Sequence, residues 1–402
     1  MNVLFWTTSF PNYSETFIKN QIEKLIDSNI NVSIFANTKN KIQKSTKECL
    51  KSNLLDRATF KNELFPKNKF LRVLNAVFIL FTSLFSKNYK FYKKALNISK
   101  YGYAAKSLKR FYFVHYLLKN KIDIIHAHFG PNGNEAAIYK EIGLSIKLVC
   151  TFHGYDIRLG ESRPKNFYRL LFRYADEIIS ISKYNYDKLV DFGLEKGKIA
   201  NINNGIDINL FKTNSKKETK TINILSVGRL EEDKAFNLAI KAFRKFNNDY
   251  PDVTWMYHII GAGKLEKQLK NLVNELNLSN KIKFHLYQDS KSIMKFMNDS
   301  HFLLLSSINE AIPTVILEAQ AMRLPIVATD VGSVNSLVVN DETGFLVTPT
   351  VESIYRGILK MIENKNKWGF YGNNGRKIIE REFNAVNENM KLIDLYKTCL
   401  NE

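Results

Sequence analysis

The sequence predicts an α/β protein of two doubly wound domains, each with a parallel sheet between layers of helices. Short apolar strands alternate with helical segments through both halves of the chain. A polar stretch at 212–221, KTNSKKETKT, has no apolar periodicity and separates the halves. A chain of 402 residues is long enough for two cores of ordinary domain size. We therefore predict one domain at 1–211 and a second at 222–375.

In the first half, Ser14 is expected to cap a helix, because apolar residues recur at helical spacing from Ile18 to Ile26. Short apolar runs before and after it are typical of buried parallel strands. The predicted strands of this half are Asn2–Trp6, Asn31–Ala36, Ile122–Phe129, Lys147–Phe152, Glu177–Ser182 and Ile199–Asn203.

The second half restarts the same alternation directly after the polar stretch. Its predicted strands are Ile222–Val227, Val253–Ile260, Ile282–Leu286, His301–Ser306, Pro325–Thr329 and Phe345–Val347. One long helix is expected at the end of the chain, from about Asn373 to Leu400.

The formal charge of +20 is concentrated in one segment, 61–120. This segment has thirteen Lys or Arg and one acid, Glu63, a difference of +12, with aromatic residues interleaved. Such a stretch is typical of a helix at an anionic membrane surface. The alternative is that Val73–Phe85 forms a core helix and the lysines a solvated face. Nucleic-acid binding is disfavoured, because no recognition motif accompanies the charge.

Three widely spaced cysteines, Cys49, Cys150 and Cys399, favour a reducing compartment over a disulfide framework. The first residues lack the basic region of a signal peptide, and no uncharged apolar run approaches the 20 or so residues that span a bilayer. We therefore expect a cytoplasmic protein that is peripheral on the inner face of the membrane.

Two glutamates bracket a predicted helix start. Glu310 lies in the loop after the strand His301–Ser306, and Glu318 lies inside a helix, with seven residues between the two. Pro313 suits the first helical position, since its missing N–H would have no partner there. The N–H groups of Thr314 and Val315 would then point into the loop, and such helix ends bind phosphate.

Other polar residues follow predicted strands, where open α/β sheets bind ligands. Arg229 and Lys234 lie in VGRLEEDK after one strand, and His153 and Asp156 lie in TFHGYD after another. His126 and His128 alternate along a strand and so share a face, but no third ligand of matching spacing predicts a metal site. They are interpreted as packing residues or as residues that line a ligand cleft.

Gly261 and Gly263 also follow a strand, but Glu266 stands where a dinucleotide fingerprint needs its third glycine. A tight turn beside a ligand pocket is the better interpretation of these two residues.

The Glu-x7-Glu spacing in its strand–loop–Pro–helix setting resembles the signature of retaining GT-B glycosyltransferases of family 4, a group that builds capsules and colanic-acid-like exopolysaccharides. The segments SFPNYSETFIKNQIEKL, IDIIHAHFGPNG, TFHGYD and INNGIDINLF are similar to the same family. The resemblance covers nearly the whole chain and is weakest between about Lys39 and Lys121. It implies two domains that face each other across a cleft, with the C-terminal helix, 376–402, returning to the first domain.

The resemblance also implies a role for each candidate residue. Glu310 would contact the transferred sugar, Glu318 the nucleotide ribose, and His153 the reacting sugar, so that His153 and Glu310 are the catalytic candidates. The donor-binding candidates are Arg229 and Lys234 at the diphosphate, with Thr314, Val315, Gly261 and Gly263. The acceptor-side candidates are Ser14, Glu15, His128 and Asp156. A nucleotide-sugar, most simply a UDP-sugar, is the expected donor, with a glycan or lipid-linked acceptor and no protein-bound metal or other cofactor.

The chain departs from the family pattern at three positions. Ala235 and Arg323 stand where glycine is usual, and Ser336 stands where a glutamate is frequent. These changes leave open a catalytically silent scaffold in a membrane-bound glycan-assembly complex. The formal charge of +20 leaves open a third interpretation, a polyanion-binding protein. The affinity of such a protein for its polyanion would fall steeply as the salt concentration rises.

Overall fold

The computed structural model describes residues 1–12, 15–40, 53–213, 219–286 and 288–401. The chain forms two compact units. The N-terminal unit comprises Met1–Ile181, Asn185–Ile202 and Asn389–Glu402, and the C-terminal unit comprises Ser182–Tyr184 and Asn203–Glu388. The division after Ile202 precedes the polar stretch 212–221 that suggested the boundary, and 214–218 lie outside the described residues.

The described part of the N-terminal unit contains a seven-stranded parallel sheet in the order β3-β2-β1-β4-β5-β6-β7. All six predicted strands form. The additional strand, β3, has only three residues and lies in the stretch where the family resemblance is weakest. The strands are β1 Asn2–Phe10, β2 Asn31–Lys39, β3 Ala58–Phe60, β4 Ile124–His128, β5 Lys147–Phe152, β6 Glu177–Ser180 and β7 Ile199–Asn201.

The predicted first helix begins at Thr16, with Glu15 as its N-cap residue and no side-chain cap bond. Ser14, the predicted cap, lies outside the described residues. The basic segment is helical. The helices of this half are α1 Thr16–Asp27, α2 Lys69–Ser83, α3 Tyr89–Ala95, α4 Ile98–Lys106 with a kink at Gly102, α5 Lys109–Lys119, α6 Gly130–Ile142, α7 Tyr155–Glu161, α8 Arg169–Tyr174 and α9 Lys183–Asp191.

The C-terminal unit contains a six-stranded parallel sheet in the order β10-β9-β8-β11-β12-β13 within its described residues. Its strands are β8 Ile222–Val227, β9 Trp255–Ile260, β10 Ile282–His285, β11 Phe302–Leu305, β12 Ile326–Thr329 and β13 Gly344–Val347. Its helices are α10 Phe236–Asp249, α11 Glu266–Glu275, α12 Ser290–Asp299, α13 Thr314–Ala321, α14 Val351–Glu363 and α15 Trp368–Glu382, and α16 Ala385–Asn401 follows.

The single C-terminal helix predicted from about Asn373 is wrong: α15 and α16 are separate. The backbone leaves the helix because it pairs with Ile206, whose N–H donates to the Phe383 carbonyl and whose carbonyl accepts from Ala385 N–H. Gly205 permits this approach, since a Cβ there would lie 2.5 Å from the Ala385 Cα. Among the described helices, none is both long and apolar enough to cross a bilayer.

The strand order of each sheet reverses direction at one place, between β1 and β4 in the N-terminal unit and between β8 and β11 in the C-terminal unit. Ligands of open α/β sheets bind beyond the carboxyl ends of the strands at such switch points. The loops after these four strands are therefore where each unit is expected to carry a site.

The last helix completes the N-terminal core. Leu392, Tyr396 and Cys399 of α16 are buried with the apolar side chains of β1, β2 and β4. The Tyr396 hydroxyl lies 2.5 Å from Nδ1 of His126, and Nε2 of His126 lies 2.7 Å from the Thr151 hydroxyl. Burial lowers the pKa of His126 to about 3, so its ring is neutral. Each of its two nitrogens takes part in one of these hydrogen bonds.

We expect Tyr396→Phe to destabilise the protein by about 1–3 kcal/mol, because it leaves a buried imidazole nitrogen without a partner. Tyr371→Phe is the matched control. Tyr371 is also fully buried, but its hydroxyl has no partner among the described residues, so its removal should cost little. Thermal unfolding followed by circular dichroism measures both, and equal losses of stability would contradict the assignment.

Candidate functional site

The loops that follow β8 and β11 are joined at the switch point of the C-terminal unit. Ile308 N–H donates to the Asp233 carbonyl at 2.9 Å, and the Ser306 hydroxyl donates to the Lys234 carbonyl at 2.9 Å. The two loops that carry Lys234 and Glu310 are thus held together by backbone carbonyls before any side-chain charge is considered.

The two glycines after β9 bring a third loop against the first. A Cβ on Gly261 would lie 1.9 Å from the Gly228 carbonyl oxygen, and a Cβ on Gly263 would lie 2.4 Å from that of Leu230. Only glycine allows these approaches. Gly261 and Gly263 therefore fix the backbone on either side of Arg229.

Lys234 and Glu310 form an ion pair at the centre of this edge, with Nζ 2.5 Å from Oε1. The same oxygen accepts from the Ser307 hydroxyl at 2.7 Å. The side chains of Lys234 and Glu310 are only 17% and 8% exposed, so solvent screens this attraction less than at the surface. No described residue bonds Oε2 of Glu310, and this oxygen remains available to a ligand hydroxyl.

Arg229 lies on the same loop but is exposed, at 62% of its side chain, and its nearest acid is Asp233 at 3.4 Å. Exposed ion pairs of this kind contribute little, typically 0–1 kcal/mol. The guanidinium can therefore turn to a bound anion at small cost.

The predicted helix start is displaced by one residue. Pro313 is the N-cap residue of α13 and Thr314 is its first helical residue, because Pro313 has extended backbone angles, φ −74° and ψ 105°. No side chain caps this end, and Thr314 and Val315 are partly exposed. The first N–H groups of a helix have no acceptor within it. The helix start thus presents the unpaired donors and partial positive charge that favour phosphate.

Glu318 lies one turn further along α13. Its carboxylate has no hydrogen-bond or ion-pair partner among the described residues, and burial raises its pKa to about 7. A carboxylate that is desolvated without compensation costs free energy in the unliganded protein. A ligand that donates hydrogen bonds to it would recover part of that loss.

In the N-terminal unit, the loops after β4 and β5 bring two histidines together. Nδ1 of His128 lies 2.9 Å from Nε2 of His153, and the rings stack at 5.2 Å. Phe17 of α1 covers His153, with ring centroids 4.7 Å apart. Burial lowers the pKa of His153 to about 3, and its Nδ1 has no partner among the described residues. His153 is therefore a neutral ring with one nitrogen free for a ligand.

His128 and Asp156, the residues predicted on the acceptor side, are both buried, and an acceptor role for them remains a prediction. His128 is 1% exposed, because β4 is a central strand, and it packs between the rings of His126 and His153. Asp156 is fully buried and accepts from the backbone N–H groups of Gly130, His153, Gly154 and Ile157. Burial raises its pKa to about 6, against the opposing effect of these N–H groups. Both residues hold His153 and its loop in place.

Glu15 is partly exposed at the start of α1 and accepts from the Asn12 side chain at 2.7 Å. Burial raises its pKa to about 7, although the bond from Asn12 acts in the opposite direction. The acceptor-side prediction for Glu15 remains a prediction. That for Ser14 falls on a residue outside the described part of the chain.

The sequence analysis did not identify Ser307, Asn12 or Phe17, although each contacts a candidate residue. The signal for Ser307 was present, since polar residues directly after an apolar strand lie at the sheet edge. Phe17 is one apolar residue among many on a helix and carries no such signal. In the part of the chain that the structure describes, no group of three or more His, Cys, Asp or Glu could hold a metal ion.

Comparison with known families and proteins identifies the family of this chain. The family Glycosyltransferase Family 4 matches residues 14–210, and Glycosyl transferases group 1 matches residues 207–378. The putative colanic acid biosynthesis glycosyltransferase WcaL of Escherichia coli K12 is 30% identical over 360 residues, which cover 86% of this chain and 87% of WcaL. The chain belongs to glycosyltransferase family 4. It is a sugar transferase of EC class 2.4.

This glycosyltransferase is also similar to two further proteins, one by sequence and one by structure. An Escherichia coli enzyme named UDP-Gal:alpha-D-GlcNAc-diphosphoundecaprenol alpha-1,3-galactosyltransferase is 27% identical, over 70% of this chain and 76% of that enzyme. The crystal structure of Anabaena HepE in complex with UDP has a TM-score of 0.72 at 19% identity, and the match covers 99% of this chain and 100% of HepE. This structural likeness supports the GT-B fold.

The departures from the family's glycines leave the backbone of this glycosyltransferase intact. Ala235 has φ 45° and Arg323 has φ 54°, the left-handed region that glycine adopts readily. Each costs roughly 1–2 kcal/mol in a residue with a Cβ. Ala235 and Arg323 thus adopt the left-handed backbone conformation of a glycine in spite of its cost. These two replacements therefore no longer favour a catalytically silent scaffold.

Gly332, after β12, sets the position of Glu310. It has φ +59°, and a Cβ there would lie 1.7 Å from the Glu310 carbonyl oxygen. We expect Gly332→Ala to destabilise the protein by about 2–4 kcal/mol, because strain and overlap add. Gly193→Ala is the control, since Gly193 has φ +91° but open space around it and should lose only the strain energy. Equal shifts in melting temperature would show that the contact with Glu310 is unimportant.

Proposed function

We propose that this glycosyltransferase moves a sugar from a UDP-sugar to a hydroxyl of a lipid-linked glycan, with retention of anomeric configuration. The observation that carries the proposal is the Lys234–Glu310 pair beside the uncapped start of α13. A cation, a carboxylate with one free oxygen and a row of N–H donors together match a diphosphate joined to a sugar. The UDP bound to HepE is of the same ligand class.

The diphosphate would be held by Arg229, Lys234 and the N–H groups of Thr314 and Val315. Negative charge grows on the leaving diphosphate as the glycosidic bond breaks, and fixed donors stabilise that charge most in the transition state. Charge-assisted hydrogen bonds of this kind contribute roughly 1.5–3 kcal/mol each. The reaction would therefore need no protein-bound metal, because these groups supply the positive charge.

Glu310 would orient the transferred sugar through Oε2, while Lys234 and Ser307 fix Oε1. Glu318 would accept hydrogen bonds from the ribose hydroxyls. The bond from the anomeric carbon to the acceptor oxygen would form on the face from which the diphosphate departs. The departing phosphate oxygen would take the acceptor's proton, so no separate base is required.

His153 would contact the reacting sugar through its free Nδ1 as a neutral hydrogen-bonding group. Its low pKa supports this role, because the ring would not become charged in the physiological range.

A lipid-linked acceptor is supported by the galactosyltransferase relative, whose name specifies a diphosphoundecaprenol acceptor. The likeness to WcaL supports a place in exopolysaccharide assembly. We assign the enzyme to the cytoplasmic face of the membrane, where such an acceptor and a nucleotide-sugar would both be available.

The proposal is tested by incubating purified enzyme with a panel of nucleotide-sugars and a lipid extract, with products identified by mass spectrometry. We expect transfer from a UDP-sugar, a product of retained anomeric configuration by NMR, and a thermal shift with UDP. Lys234→Ala should lower kcat/KM at least about 100-fold, since it removes a charge-assisted contact and leaves Glu310 unpaired. Lys360→Ala is the control, because Lys360 pairs with Asp341 away from these loops.

No thermal shift with UDP, and no transfer from any donor of the panel, would overturn the proposal. A thermal shift with another nucleoside diphosphate alone would correct the donor base and keep the reaction.

Nucleotide affinity should rise with pH because of Glu318. Its pKa near 7 leaves it mostly protonated at pH 6, whereas ribose hydroxyls donate best to the ionised form. UDP binding should therefore tighten up to about tenfold between pH 6 and pH 8, as the ionised fraction rises from about one tenth to nine tenths. Isothermal titration calorimetry measures this change. Glu318→Gln should bind more weakly and keep only the pH dependence of the nucleotide's own phosphate, and an unchanged pH profile in that variant would remove Glu318 from the site.

A further inference from the structure

Helix α2 and the two residues after it expose an apolar surface to solvent. At 100° per residue, eight large apolar side chains fall within about 140° of the helix circumference. We call this surface the α2 outer face: Phe70, Leu71, Leu74, Val77, Phe78, Phe81, Leu84 and Phe85. Their exposure ranges from 44% for Leu84 to 104% for Phe85. Lone exposed apolar residues are ordinary, but a contiguous patch of this kind marks an interaction surface.

The opposite face of α2 carries mostly small or polar residues, together with the partly buried Ile79. Ala76 and Ser83 are the buried residues of this helix, and Arg72 donates to the backbone carbonyls of Pro66 and Ser107. A core helix would turn its largest apolar side chains inward. The interpretation of Val73–Phe85 as a core helix is therefore wrong, because the apolar side of α2 faces solvent.

Cations surround the α2 outer face along the chain. The exposed lysines before it are Lys67 and Lys69, and those after it are Lys87, Lys90, Lys93, Lys94, Lys100 and Lys106. Glu63 is the one acid of the segment 61–120. Apolar residues flanked by lysines are the pattern of a helix that lies in the interface of an anionic bilayer.

We propose that α2 lies in the plane of an anionic membrane surface, with the α2 outer face inserted among the acyl chains and the lysines at the headgroups. Its 15 residues are about 22 Å long, too short to cross a hydrocarbon layer of about 30 Å. The helix therefore lies on the membrane and does not span it. Each basic residue near an anionic leaflet strengthens binding.

A second copy of the chain is a poorer occupant of this surface. Self-association through α2 would bring together two segments that each carry a charge difference of +12. Like charges at such an interface repel one another, whereas an anionic bilayer attracts them. Membrane insertion goes beyond the proposed sugar transfer, because it needs neither donor nor acceptor.

The test uses flotation of the full-length protein with vesicles of phosphatidylcholine alone or with phosphatidylglycerol. Wild type should bind the anionic vesicles. Phe78→Gln/Phe81→Gln/Phe85→Gln should lower the partition coefficient at least about tenfold, since it removes three of the inserted side chains. Its melting temperature and its thermal shift with UDP should stay unchanged, because these residues are exposed. Phe370→Gln/Val386→Gln/Met390→Gln is the control, as it removes three apolar residues exposed elsewhere.

A second experiment distinguishes insertion of the helix from purely electrostatic binding. It uses the variant F78W and vesicles with brominated lipids, which should quench the fluorescence of the new tryptophan if the helix is inserted. Binding without quenching, equal flotation of the Phe78/Phe81/Phe85 variant and wild type, or failure of wild type to bind anionic vesicles would each overturn the proposal. So would a wild-type dimer in light scattering that the same variant converts to monomer. Loss of vesicle binding with intact UDP binding leaves the proposed reaction untouched, so the two proposals fail separately.

Discussion

The geometry at the switch point of the C-terminal unit depends on the contact between Lys234 and Glu310. The two residues come from loops 76 positions apart and meet because β8 and β11 are neighbours in the sheet at the point where its strand order reverses. The charges alone would not hold this arrangement, since each long side chain loses conformational freedom in the pair. The Ser306 hydroxyl and the Ile308 N–H, which donate to backbone carbonyls, and the close approach at Gly332 fix the loops first. The ion pair then forms between groups that are already positioned, which also makes it easier for an anionic ligand to share Lys234.

In the N-terminal unit, the candidate site is built around a stack of histidine rings, and its described residues include no ion pair like that of Lys234 and Glu310. His126, His128 and His153 stack along the ends of β4 and β5, and burial keeps all three pKa values low. A charged ring in this stack would repel its neighbours and lack solvent, so the stack is stable only when neutral. Asp156 is the anionic counterpart: four backbone N–H groups point at its carboxylate and hold the loop that carries His153. The partly buried ring of His153 is thus held in place by His128 and Asp156, which are both buried.

Much of this fold was predictable because buried parallel strands are apolar runs bounded by polar loops, and the predicted strands formed within a few residues of their bounds. The proximity of Lys234 and Glu310 was predictable as well, since both follow strands whose carboxyl ends share an edge of the sheet. Features set by distant backbone were not. The break at Phe383 arises from pairing with Ile206, and the burial of His128 arises from neighbours on β5. Short strand β3 has too few residues to show a period. Phe17 contacts His153 only because of how the chain folds, and nothing in its sequence context indicates this contact.

The basic segment shows why composition alone left two interpretations open. The same residues, Val73–Phe85, can form either a core helix or an interfacial one, and both have helical periodicity and a high apolar content. What distinguishes them is which side of the helix meets the protein, and that depends on the chain packed against it. Here the buried residues of the helix are Ala76 and Ser83, too small to contribute much to a core, and Ile79 is only partly buried, while Phe78 and Phe81 face solvent. An exposed apolar face costs free energy in water that the remainder of the fold must offset. A helix kept in that state is best understood through the low-dielectric surface it meets, and the lysines on either side of it indicate that this surface is negatively charged.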